Sequence, residues 1–246
     1  MRTKSEKKRG KPRRVREADD APVGRLRRAR ILAVRVLLAV IALVLGSVAL
    51  FSVVNPPVTI TMALEGRRLG AVEREWVAMD EIAPVMARSV VAAEDARFCT
   101  HWGFDMAAIR SSIAAGGTRG ASTITQQVAK NVWLWQGRSW PRKALEAGLT
   151  PLVELFWSKR RILEVYLNVA EFGEGVFGVE AAARHYFGVG ADALDAGQAA
   201  RLAAVLPDPK ARSAASPSDF VTRRAASIRD GAAVISRDGR AACFQG

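Results

Sequence analysis

The sequence is short of the side chains that build metal centres and covalent staples: its 246 residues contain two cysteines and two histidines. Neither Cys99 nor Cys243 has a Cys or His partner at zinc-ligand spacing, so a structural zinc is not expected; an exported domain could oxidise the two, but nothing else argues for a disulfide between them. Internal repeats are absent, and so is the alternation of strands and helices that would signal a parallel α/β sheet. Acidic residues are scarce, 24 against 37 Lys and Arg, for a formal charge of +13. That excess does not describe a basic domain face. Residues 1–30 hold 13 Lys and Arg against four Asp and Glu, and once Arg35 is set aside only +3 remains for everything that follows. A segment so polar and so poor in aromatics cannot offset its ordering entropy by burial, so residues 1–30 read as a disordered basic tail. A nucleic-acid-binding arm is the competing reading, and the next segment offers a simpler use for the charge.

That segment is the one long apolar run. Val36 to Val54 comprises 19 residues without a charge, and at about 1.5 Å per residue it spans roughly 28 Å, the thickness of a bilayer core. Residues 31–54 are therefore expected to form a single transmembrane helix, with Arg35 able to snorkel to the headgroups. The Lys/Arg excess before the run and its absence just after predict a cytoplasmic N-terminus and an external remainder. A cleaved signal peptide fits less well, because the run is too long and Val53-Val54-Asn55-Pro56-Pro57 is a poor cleavage site.

Beyond Pro56-Pro57 the β-branched Val58-Thr59-Ile60-Thr61-Met62 suggests a short strand or extended stem. The pattern then turns helical. Ile82 to Ala93 is an apolar run leading into Glu94; Asp105 can cap a helix carrying Ile109 and Ile113, ended by Gly116-Gly117; Ser122-Thr123 opens another through Val128. Lys159 to Leu167 and Leu194 to Leu206 repeat the helical spacing. The expected fold class is mainly α, with small extended pieces, over residues 55–210. Residues 211–246, with a last helix from Phe220 to Ile235, read as a separate helical tail of no legible role.

Four blocks carry chemistry. The first is Glu94-Asp95-x-x-Phe98-x-x-His101-x-Gly103-x-Asp105. A glutamate at the end of an apolar helix is partly buried, which raises its pKa toward that of a useful general base; alone, such a Glu is more often structural. Asp95 and Asp105 suit loop fixation through backbone N–H groups, and His101, beside Trp102, suits a packed hydrogen-bonded role. The second block is Gly120-Ala121-Ser122-Thr123-Ile124-Thr125-Gln126-Gln127, continuing to Lys130-Asn131. Small residues admit a ligand to the backbone, and a helix start offers N–H groups to an anion; an ordinary capped helix is the plain alternative. Third come Arg138 and Arg142-Lys143-x-x-Glu146, which on spacing alone could be a solvated basic helix face with an intrahelical pair worth a few tenths of a kcal/mol. Fourth is Lys159-Arg-Arg-Ile-Leu-Glu164-x-Tyr166-Leu-Asn168, followed by a Gly-rich loop with Glu171 and Glu174, and Tyr186-Phe187. Trp133, Trp135, Trp140 and Trp157 lie between the second and fourth blocks, suited to a membrane-interface patch or to core packing.

In this order the blocks resemble the peptidoglycan glycosyltransferase family, family 51, and specifically its monofunctional biosynthetic transglycosylases; the resemblance covers about residues 64 to 210. It implies a lysozyme-like catalytic domain that polymerises lipid II into β-1,4-linked glycan with release of undecaprenyl pyrophosphate, and no transpeptidase region follows. It also implies roles. Glu94 becomes the base for the acceptor 4-hydroxyl and Glu146 the second carboxylate; Ser122, Thr123, Gln126, Gln127, Lys130, Arg138, Arg142 and Lys143 become substrate contacts. Asp95, Phe98, His101, Gly103, Asp105, Gly120, Tyr166 and Asn168 shape the cleft. Fixed cations can neutralise a pyrophosphate leaving group in place of a general acid. No cofactor is demanded, and a divalent cation, Mg or Mn, is left open at an unknown site. The implied partners are lipid II, the growing lipid-linked glycan, the bilayer and proteins of division or elongation, with no nucleic acid. The implied location is the bacterial inner membrane, single-pass, with the catalytic domain periplasmic. Gln198 stands where relatives often carry Glu. Lytic cleavage of existing glycan and a non-catalytic membrane-anchored scaffold are the rival readings.

Overall fold

A computed structural model of the chain describes residues 21–116, 120–137 and 139–245, and divides them into two units at Leu45/Gly46. The first unit is most of helix α1 (Ala21–Phe51). Among the described residues it is the one helix long and apolar enough to cross a membrane, over Leu26–Phe51. The helix begins earlier than the apolar run alone suggests: residues 21–30, expected in a disordered tail, are helical. Once the apolar run nucleates a helix, extension through Ala, Leu and Arg adds one hydrogen bond per residue without a new nucleation cost. The rest of the expected tail, residues 1–20, lies outside the described residues.

The second unit is mainly helical. Thr59 caps α2 (Ile60–Leu69), its Oγ1 accepting from the Met62 N–H at 3.2 Å. The extended stem expected at 58–62 is therefore a helix start: Thr59 supplies the cap, and this local bond outweighs the β-branched preference. A small sheet follows, β1 (Glu73–Arg74), β2 (Glu171–Gly173) and β3 (Val176–Phe177), in the order β1-β3-β2. β1 runs parallel to β3 with Glu73 opposite Val176, and β2 pairs with β3 antiparallel through a bulge.

The helices α3 (Pro84–Glu94), α4 (Met106–Ala114), α5 (Ile124–Trp133), α6 (Trp140–Phe156), α7 (Lys159–Val169), α8 (Val179–Phe187), α9 (Ala196–Val205) and α10 (Asp219–Arg237) complete the unit. α7 lies at the centre, with every residue from Val165 to Val169 buried, and α5 packs on both α6 and α7. On the other side α3, α9 and α10 pack together. α10 docks through a stripe of Val221, Ala225, Ile228, Ala232 and Ile235, alternating four- and three-residue steps that keep one face to the core. Residues 211–245 thus belong to the same compact unit as the preceding helices.

The disulfide the sequence did not argue for is present. Cys99 and Cys243 are bonded across a separation of 144 residues. A short 3-10 turn at Phe98–Thr100 presents Cys99, and the segment after α10 returns to it, burying Phe244 against Phe98 with ring centroids 6.3 Å apart. Such proximity is tertiary and leaves no trace in cysteine spacing. The four tryptophans between the second and fourth blocks fall into two pairs. Trp157 and Trp133 pack together at 5.8 Å and donate their indole N–H groups to Val48 O and Ser47 Oγ, whereas Trp135 and Trp140 are exposed.

Candidate functional site

Glu94 is the last residue of α3, where the chain leaves the helix through an extended Asp95. Its Oε2 accepts a hydrogen bond from Gln127 Nε2 at 2.9 Å, and the Gln127 Oε1 accepts one from the Tyr166 hydroxyl at 3.2 Å. Burial pushes the Glu94 carboxyl above its ordinary range, opposed by the Gln127 hydrogen bond and by the charges of Arg224 and Lys130. The Tyr166 phenol is raised well above its usual value, first by burial and then by the Glu94 charge. A carboxylate destabilised as an anion in this way is a stronger proton acceptor than a solvated one.

The other residues of the first block hold that position. Asp95 accepts from the Ile124 N–H through Oδ2 at 3.1 Å and faces His101 Nε2 through Oδ1 at 2.8 Å. One carboxylate thereby ties the end of α3 to the start of α5. Thr123 caps α5 reciprocally with Gln126, and its hydroxyl donates to Gly103 O at 2.7 Å. Gly103 has φ +82°, and a Cβ there would lie 2.5 Å from Thr150 Cγ2, so only glycine fits. Asp105 caps α4 at the Ala107 and Ala108 N–H groups and pairs with Arg97. Phe98 is fully buried.

Thr123 and Gln126, both expected to contact substrate, close the start of α5 on each other: the amide oxygen of the buried Gln126 accepts from the Thr123 N–H, and the Thr123 hydroxyl is engaged by Gly103 O and the Gln126 N–H. Asn168, expected to shape the cleft as scaffold, is fully buried and braces Val77 through both its amide atoms at 2.9 Å.

The cations converge on Glu146. Although it sits on a helix with Arg142 and Lys143, Glu146 is buried, not solvated. Arg142 Nη1 donates to its Oε2 at 2.7 Å, and Lys143 Nζ donates both to its Oε1 and, at 3.1 Å, to Ser122 Oγ. Lys130 faces the same group from α5; its burial lowers its pKa, the Glu146 charge opposing this. Arg142 Nε is buried without an acceptor among the described residues. Arg138 lies outside the described residues.

Among the described residues, the carboxylates of these blocks that could hold a divalent cation are already engaged by other groups. Both oxygens of Glu146 are taken by Arg142 and Lys143. Asp95, His101 and Asp105 present ligand atoms within 4.8 Å of one another, yet the Asp95 and Asp105 oxygens are engaged by His101, Arg97 and backbone N–H groups.

Two hollows flank the Glu94 to Glu146 region. One, of about 330 Å³, is lined by Gln127, Lys130, Tyr166, Glu171 and Lys210 among others. The second, of about 290 Å³, has Glu94, Asp95, Gly120, Ser122 and Thr123 in its wall. The sequence reading missed three contributors. Glu154 lies buried beneath the second block, accepting from Thr125 Oγ1 and Lys159 Nζ at 2.6 and 2.8 Å. Arg224 of α10 faces Glu94, and Lys210 reaches Glu65 across the first hollow. Lys159 begins a quoted block and was open to inference; Arg224 and Lys210 sit in segments with no distinctive spacing.

One mainly helical unit thus holds Glu94, with its raised pKa, and the Lys130, Arg142, Lys143 and Glu146 cluster. The chain belongs to the transglycosylase family, whose model matches residues 63–232. It is 64% identical to the biosynthetic peptidoglycan transglycosylase of Jannaschia sp. (strain CCS1) over 203 residues, 82% of this chain and 85% of that protein. It is 52% identical to the protein of the same name from Stutzerimonas stutzeri (strain A1501) over 205 residues, 79% and 85% of the two chains. With that of Yersinia pestis (strain Pestoides F) it shares 50% over 204 residues, 77% and 84%.

Proposed function

We propose that this chain is a peptidoglycan glycosyltransferase that polymerises lipid II into β-1,4-linked glycan during cell-wall synthesis. The observation that carries this is the juxtaposition of a buried carboxylate with raised pKa, Glu94, and the Lys130, Arg142, Lys143 and Glu146 cluster, in a chain of the transglycosylase family. Glu94 takes the proton from the 4-hydroxyl of the acceptor sugar as that oxygen attacks C1 of the lipid-linked chain. The C1–O bond to pyrophosphate breaks, the electron pair leaves with undecaprenyl pyrophosphate, and the anomeric centre inverts. Lys130, Lys143 and Arg138 receive the departing charge, so no general acid is required. Arg142 is held by Glu146 at the edge of the same cluster. A cleaving enzyme would have no pyrophosphate for such a cluster to hold.

In this reading the apolar helix anchors the chain in the inner membrane with its N-terminus cytoplasmic. The exposed Trp135 and Trp140 then suit the lipid interface, from which a lipid-linked substrate enters. Lipid II polymerisation by the detergent-purified protein, resolved on a gel, tests the proposal. Strands are expected from the parent, with a loss of about 10²–10⁴-fold in Glu94→Gln. A parent that makes no strands, or a Glu94→Gln variant as active as the parent, would overturn it.

A further inference from the structure

The Glu94 carboxylate is gripped on one side only. Gln127 holds Oε2, while Oε1 is buried with no hydrogen-bond partner among the described residues. A cation from the last helix faces that oxygen: Arg224 Nη2 lies 3.8 Å from Oε1, and Arg224 Nε is itself buried without an acceptor. Buried polar groups left unpaired cost free energy, and Arg224 Nη2 faces the unpaired Oε1 across a gap slightly too long for a hydrogen bond. Arg224 borders the buried stripe of α10, between Val221 and Ile228 on the same side of the helix, so docking of that helix carries its guanidinium to Glu94.

Resting on the function proposed above, we propose that Arg224 is a positioning residue for the reaction: from α10 it orients the Glu94 carboxylate and balances its charge. At 3.8 Å the charge acts on the carboxylate without a direct hydrogen bond. The other groups facing Glu94 are Lys130 from α5, Tyr166 from α7 and Asp95 on the following turn. Burial and Asp95 favour the protonated form, whereas Gln127, Arg224 and Lys130 favour the anion, with Arg224 the stronger of the two cations. The segment after α10 keeps the helix in place through the Cys99–Cys243 disulfide and the hydrogen bond from Arg240 Nη1 to Ala96 O.

The test compares the parent with Arg224→Gln and Arg224→Lys by lipid II polymerisation rate from pH 5.5 to 9 and by thermal unfolding. A base must be ionised to act, so the rate rises with pH through its pKa. Loss of the Arg224 charge is expected to move that acid limb up by about one pH unit, with most of the rate recovered at alkaline pH. Lysine is expected to bring the limb back near the parent's, and all three proteins to unfold cooperatively. A Gln profile that keeps the parent's shape and is only lower throughout would overturn the inference, as would a Lys variant no better than Gln at low pH, or a Gln variant that does not fold. If the parent itself makes no strands, the failure belongs to the proposed function; if it does and the limb stays in place, it belongs to Arg224.

Discussion

Glu94 and Glu146 are both buried, and their surroundings are opposite in kind. Glu94 has one hydrogen bond and a pKa raised chiefly by burial; Glu146 has a cation on each oxygen. A group whose folded pKa is raised costs stability when ionised, at pH values above that folded pKa, and costs none where it is protonated in both states. Glu94→Gln is therefore expected to unfold at a higher temperature than the parent at pH 7 and at the same temperature near pH 4, the activity loss being the reverse side of that strain. Thermal unfolding at the two pH values checks this. Glu146→Gln should behave in the opposite way, since it strands the buried Arg142 guanidinium; a loss of about 3–5 kcal/mol is expected, seen as a lowered denaturation midpoint. The acidic residues of both blocks were visible in the sequence, but not this contrast. Spacing places Arg142 and Glu146 on one helical face; only packing decides whether that face meets water or the core.

At the scale of elements, the joint between α3 and α5 decides where Glu94 meets Gln127. Asp95 and Thr123 make it from opposite sides, one through the Ile124 N–H and the other through Gly103 O. Thr123→Ala removes a helix cap and a buried hydrogen bond together, about 1 kcal/mol for each. Thr123→Ser should recover most of the roughly 2 kcal/mol in chemical denaturation. The helices bearing the blocks were readable because capping residues and apolar spacing are local signals: Asp105 before α4 and Thr123 before α5 are examples. The start of α2 was misread, because Thr59 offers both a β-branched side chain and a cap, and the cap prevailed. The role of Gln126 is not legible in sequence for a related reason. A motif shows that a side chain matters without showing whether it faces a ligand or its own backbone.

For the whole molecule, the least readable feature was the closure of residues 211–245 onto the first block. α10 delivers Arg224 to Glu94, and Cys243 bonds to Cys99, yet neither contact has a signature in sequence separation or composition. A cross-link over 144 residues restricts the unfolded chain strongly, so its reduction is expected to cost about 2–5 kcal/mol and lower the melting temperature by on the order of 10 °C. Calorimetry with and without a thiol reductant checks this, with Cys243→Ser expected to be insensitive to the reductant. The same bond makes residues 99–243 a covalent ring that contains Gln127, Lys130, Glu146 and Arg224 but not Glu94. A protease that cuts the ring once therefore opens it without releasing a fragment. The nicked protein keeps its full mass on a non-reducing gel and separates into two pieces only after thiol treatment.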